Sequence, residues 1–130
     1  MSTELIVLAW GCILGLVHIF AAGNAKTKQY GAKWNMGPRD GALAEPEPIV
    51  GRLMRAQANY FETFPVVAAA ILIVSVAGVT TRWTAIGALI WLAARVVYLP
   101  LYIFGVPGVR SAAFLISIVG LGMILWPALF

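Results

Sequence analysis

Arg52, Arg55, Asn59 and Glu62 stand 3, 4 and 3 residues apart at the entrance of a long apolar run. On a helix, at about 100° per residue, the four fall within an arc of roughly 80°. Arginine presents planar, bidentate donors that suit carboxylates and phosphates, so this face reads as half of an anion site. In hydrocarbon each charge costs on the order of 2.5–3.5 kcal/mol. The stripe must therefore face protein, water or a polar ligand. A second stripe follows in Trp91, Arg95, Tyr98 and Tyr102, spaced 4, 3 and 4 apart, and Arg110 lies a little beyond it. No serine–histidine–acid arrangement and no cluster of metal ligands is visible, so no metal site is expected. If the chain is an enzyme, its reactive group arrives with a bound cofactor, and the protein supplies positioning and positive charge.

The elements that must hold these residues are helices in a membrane. The chain has 130 residues, of which 62% are hydrophobic and 11% charged, against about 25% charged in a soluble domain. Four apolar stretches predict helices over Leu5–Gly23, Ile49–Val79, Trp83–Phe104 and Ser111–Phe130. Each holds the roughly 20 residues needed to cross a ~30 Å core. The expected architecture is all-α, a single four-helix transmembrane domain over residues 1–130. The first stretch lacks the basic n-region of a secretion signal and reads as a retained helix. Gly11 and Gly15 in that helix, and Gly120 and Gly122 in the last, predict close helix approach. Cys12, the only cysteine, permits no intrachain disulfide and is expected to be a buried thiol. His18 has no Cys, Asp or Glu beside it and is expected to be a hydrogen-bonded packing residue.

Residues 24–50 read as one long loop, because Gly37-Pro38-Arg39-Asp40 and Glu45-Pro46-Glu47-Pro48 forbid a continuous helix. The loop runs into the charged helix and is expected to wall or cover it. Pro65 and Pro100 should bend their helices. The short turn Thr80–Arg82 makes the second and third spans antiparallel neighbours. Basic residues sort by connection: Lys26, Lys28, Lys33 and Arg39 in the first and Arg110 in the third, against Arg82 alone in the second. The positive-inside rule then puts loops 24–50 and 105–110 in the cytoplasm and both termini away from it. The net charge of +4 is thus a topology signal. Nucleic-acid binding is excluded, since no clustered basic face with groove-reading chemistry exists.

With that topology the two stripes meet at the cytoplasmic side. Four arginines and one carboxylate converge there, and Glu62 neutralises at most one of them. Bland readings stand beside this one. Arg52 serves equally well as a snorkelling residue, Arg55, Asn59 and Glu62 as an interhelical network, and Tyr98 and Tyr102 as belt aromatics.

The pattern Arg52-x-x-Arg55-Ala56-x-x-Asn59-x-x-Glu62-x-x-Pro65, then Arg95-x-x-Tyr98-x-x-x-Tyr102 and Arg110-Ser111, resembles the membrane-associated proteins in eicosanoid and glutathione metabolism. That family, abbreviated MAPEG, includes microsomal glutathione transferases, leukotriene C4 synthase and microsomal prostaglandin E synthase. The resemblance implies a four-helix bundle assembled as a homotrimer, with sites between subunits near the cytoplasmic face. It implies that Arg52, Arg55, Asn59, Glu62, Arg95, Tyr98 and Tyr102 bind glutathione as cosubstrate and that Arg110 activates its thiol. Where other members place an arginine at the end of the first helix, this chain has Lys26 and Lys28, which cannot make the bidentate contact. The Gly37–Asp40 loop is similar to that of small bacterial members, implying a bacterial inner membrane.

The implied activity is a membrane-bound glutathione transferase or peroxidase acting on hydrophobic electrophiles or lipid hydroperoxides. The alternative is a non-catalytic protein of the same fold, an accessory or structural subunit of a larger membrane complex. A small transporter or proton path is a third reading, weakened because the charges sit at one side and do not cross the membrane.

Overall fold

Ser2 opens the first helix: its hydroxyl accepts the Leu5 N–H at 3.3 Å, the usual N-cap arrangement. The helix, α1, then runs over Thr3–Tyr30 in a computed structural model that describes residues 1–130. At 28 residues it is about 42 Å long, well beyond the ~30 Å of hydrocarbon. It thus continues seven residues past the predicted end at Gly23. Residues 24–50 are correspondingly not one loop. A short helix, α2, spans Ala32–Met36 after Gly31, whose φ of 95° breaks the chain direction. Only the segment from Gly37 to Glu47 is irregular, and it is strapped to the end of α1. The Gln29 side-chain amide donates to Glu45 O and accepts the Glu47 N–H, each at 2.9 Å, and Tyr30 OH donates to Ala44 O at 2.8 Å.

Three long helices follow. α3 covers Pro48–Val76, with Pro48 at its first turn, where no N–H is needed. It passes through Pro65 without interruption. It stops before the predicted Val79 because Gly78, at φ 70°, lets the chain turn out while the Val79 N–H donates back to Val74 O at 3.0 Å. α4 covers Arg82–Ile103 and begins with a capping box between Thr81 and Thr84. α5 covers Pro107–Leu129, again with proline at its first turn. Four of the five helices are long and apolar enough to cross a membrane.

Their packing is set by small residues and one aromatic column. A Cβ on Gly120 would lie 2.5 Å from Gly87 O, and one on Gly87 2.7 Å from Gly120 O. α4 and α5 therefore touch backbone to backbone, and this is the most extensive helix pair. Gly122 faces open space and takes no part. Between α1 and α3, Gly11 admits Phe64 and Gly15 admits Tyr60 and Phe61. Tyr60 OH donates to Gly11 O. Around it pack Val7, Leu14, Val67, Ile71, Val74, Trp91 and Ile124 as the main core, while Leu, Ile and Val side chains such as Leu72, Ile73, Leu89 and Val119 cover the outside. An apolar exterior around a tight interior is what a bilayer solvent demands.

Two expectations for α1 are corrected. Cys12 is exposed, on the outward side of the helix. His18 is buried as expected, but neither ring nitrogen finds a partner. It stacks on Tyr60 with ring centroids 4.7 Å apart. α3 and α4 do touch across their short turn, yet α4 packs chiefly on α5. One polar tie escaped the sequence reading entirely. Glu4, 2% exposed, accepts the Thr84 hydroxyl and joins α1 to the start of α4.

Because Gly11 O keeps its place in the helix ladder when Tyr60 OH is removed, Tyr60→Phe should lower stability by only about 0.5–1.5 kcal/mol. Reversible denaturant unfolding in detergent reads this directly. A loss of several kcal/mol would mean that the hydroxyl does more than tie α1 to α3.

Candidate functional site

Residues 55, 58, 59 and 62 recur at i, i+3, i+4 and i+7, so α3 turns one face toward the beginning of α5. Arg55, Ala58, Asn59 and Glu62 from α3 meet Tyr98 and Tyr102 from α4 and Arg110, Ser111, Phe114 and Leu115 from α5 around a cavity of about 530 Å³. The cavity lies at the end of the bundle where α3 and α5 begin. Pro107 starts α5 and thereby sets Arg110 in its first turn, close to the positive end of the helix dipole.

Tyr102 organises the arginines. Arg55 Nε donates to Tyr102 OH at 3.2 Å, and the Arg110 guanidinium carbon lies 4.6 Å over the Tyr102 ring. Tyr98 packs beside it, 5.6 Å away between centroids, and 6.4 Å from Phe114. Both arginines thus make their contacts with an aromatic side chain rather than with the Glu62 carboxylate. The chemical result is a concave surface rich in cationic and neutral donors with a single carboxylate, closed on one side by Phe114 and Leu115.

Six of the eight residues singled out in the sequence line this cavity. The other two lie elsewhere. Arg52 Nη1 donates to Ile103 O at 3.2 Å, and its guanidinium lies against Gly105, so it ties α3 to the end of α4. Arg95 is 0% exposed and stands behind the wall. Its Nη1 donates to Asn59 Oδ1 at 2.8 Å, and its guanidinium carbon lies 4.2 Å over the Tyr98 ring and 5.4 Å over that of Tyr60. Ala58, Phe114 and Leu115 are further lining residues that the sequence did not single out, and Ser111 stands in the family pattern with no role given to it. Ser111 and Phe114 follow Arg110 at i+1 and i+4, and helical spacing from Arg110 would have found Phe114. No group of three or more His, Cys, Asp or Glu side chains comes together.

The family model that matches this sequence is that of the MAPEG family, over residues 7–130. No curated protein matches it.

Proposed function

Since the chain belongs to the MAPEG family and is an integral membrane protein, we propose that it is a glutathione-dependent transferase or peroxidase acting on hydrophobic electrophiles or lipid hydroperoxides. One observation carries the reading: Arg55, Asn59, Glu62, Tyr98, Tyr102 and Arg110, from three different helices, line one cavity of about 530 Å³. Glutathione has two carboxylates and one ammonium group. Arg55 and Arg110 offer the charge-assisted donors its carboxylates need, and Glu62 offers the acceptor its ammonium needs. Arg110 has a second task. Its charge, together with the start of α5, favours the thiolate once the thiol proton has passed to water. The sulfur then forms a C–S bond with an electrophilic carbon as the leaving group departs with its bonding pair. With a hydroperoxide it takes the terminal oxygen as the O–O bond breaks, giving the alcohol and a sulfenic acid that a second glutathione reduces to disulfide and water. Phe114 and Leu115 supply an apolar wall along which a hydrophobic second substrate reaches the sulfur from the lipid side.

The proposal includes a homotrimer. Arg55 and Glu62 are exposed in the single chain although both lie within a membrane-spanning helix. Charges at that depth avoid hydrocarbon, so a neighbouring copy covering this face is the economical arrangement. The basic residues of the first and third connections favour a cytoplasmic position for the cavity, in an inner membrane.

Thiolate absorbance on adding glutathione to the purified protein is the direct test. The wild type should give a saturable signal. Arg55→Ala should weaken glutathione binding about 10- to 100-fold, the worth of one charge-assisted hydrogen bond of roughly 1.5–3 kcal/mol. A wild type with no thiolate signal and no binding leaves only a scaffold of the same fold.

A further inference from the structure

Arg95 is the one arginine or lysine side chain sealed inside the bundle. It is 0% exposed, and of its three nitrogens only Nη1 has a partner, while Nε and Nη2 have none. Burying a guanidinium with so few bonds is expensive, and a hydrophobic side chain of similar volume would stabilise the bundle better. What the residue touches explains its presence. Its hydrogen bond is to Asn59 and its closest ring is that of Tyr98. Both belong to the cavity wall, and Arg95 does not.

We infer that Arg95 is a positioning residue, which sets the direction of the Asn59 amide and the plane of the Tyr98 ring and makes no contact with the ligand. Guanidinium has five donors and no acceptor, so its partner on Asn59 must be the carbonyl oxygen. The amide is thereby oriented with its NH₂ group turned away from Arg95, and Asn59 offers the cavity donors rather than an acceptor. Tyr98 is held by the flat guanidinium beneath it, and through Tyr98 the neighbouring Tyr102, which receives Arg55 and underlies Arg110. Behind Arg95 the support continues. Tyr60 lies 5.4 Å from the guanidinium, His18 stacks on Tyr60, and Tyr60 OH is anchored on Gly11 O. A column of α1, α3 and α4 side chains thus bears on the one amide whose polarity matters to an anionic ligand.

The consequence for ligand affinity rests on the glutathione reading above; the consequence for Asn59 does not. The experiment is a double-mutant cycle on the full-length protein in detergent, with Arg95→Gln, Asn59→Ala and the two combined. In the absence of ligand, the shifts in unfolding midpoint should be clearly non-additive, because each single change breaks the same contact. Additive shifts overturn the assignment whatever the protein binds. With glutathione as the probe, each single change should weaken binding about tenfold or more, and the double change should be no weaker than the worse single. Effects that multiply mean that Arg95 meets the ligand itself. The thiolate absorbance per bound glutathione should stay at the wild-type value in Arg95→Gln, since Arg95 acts on orientation and not on the sulfur; a loss of that signal overturns the assignment. Arg95→Lys adds a further check. Its ammonium keeps the charge but has no plane to lie on Tyr98, so restored wild-type affinity would make Arg95 a source of charge only. If the wild type binds no glutathione, the functional reading fails, and the ligand-free cycle still decides Arg95.

Discussion

On the glutathione reading, Arg110→Ala should weaken binding and hold the glutathione that still binds largely as the thiol, with conjugation at saturating glutathione slowed about 100-fold near neutral pH. The size follows from the thiolate fraction. Each unit by which a neighbouring cation lowers a thiol pKa is worth about 1.4 kcal/mol, and a shift of roughly two units corresponds to a hundredfold change in rate. Arg110 is placed for this by its helix. Pro107 begins α5, Arg110 lies in the first turn, and the guanidinium rests 4.6 Å over Tyr102 at the cavity wall. Two cationic influences, the side chain and the start of the helix, therefore bear on the same point. The sign is specific: stabilising the thiolate helps most below the pKa of a free thiol, so the variant should recover toward the wild-type rate as pH rises through that range. Arg110→Lys should fall between the two, because it keeps the charge and loses the planar stack. Rates measured against pH with a hydrophobic electrophile decide the matter. Wild-type activity of Arg110→Ala at neutral pH would remove Arg110 from the mechanism.

Gly120→Val should abolish the folded bundle in mild detergent. A Cβ at position 120 would meet Gly87 O at 2.5 Å and Trp91 N at 2.8 Å, and both are backbone atoms that cannot rotate away. The only relief is separation of α4 from α5. Overpacking a well-packed core costs about 1–3 kcal/mol, and here the two nearest neighbours are fixed backbone atoms, so the upper end or more is expected. Because α5 carries Arg110, Ser111, Phe114 and Leu115 into the cavity, separation also dismantles the site. Gly122→Val is the control, since a Cβ there meets nothing within 4 Å, and it should behave as wild type. Size-exclusion elution and helical unfolding midpoint separate the two variants; equal midpoints would show that the α4–α5 crossing is not a close backbone contact.

The two glycines show what helical patterning conveys and what it omits. Gly120 and Gly122 look alike as small residues in an apolar run, yet they point in different directions, and only the one aimed at Gly87 packs. Cys12 and His18 repeat the lesson on α1. Hydropathy places both within the span, but which faces lipid and which faces Tyr60 depends on the rotation of α1 against α3. The length of α1 was missed for another reason. Residues 24–30 are too polar for a membrane core, and hydropathy ends the span at Gly23. Lysine, glutamine and alanine are nevertheless good helix formers, so the helix runs on through them to Gly31.

The apolar content determined the membrane class and the number of spans, because partition into hydrocarbon depends on composition along a stretch and little on contacts. The spacing of Arg55, Asn59 and Glu62 likewise determined a shared polar face, since helical geometry is local. Which of these polar groups open onto the cavity was decided only by the tertiary structure. Arg95, Tyr98 and Tyr102 share one stripe of α4, but the crossings of α4 with α1, α3 and α5 place the tyrosines in the wall and the guanidinium behind it. Depth relative to a cavity depends on the neighbouring helices, and no spacing within α4 records it.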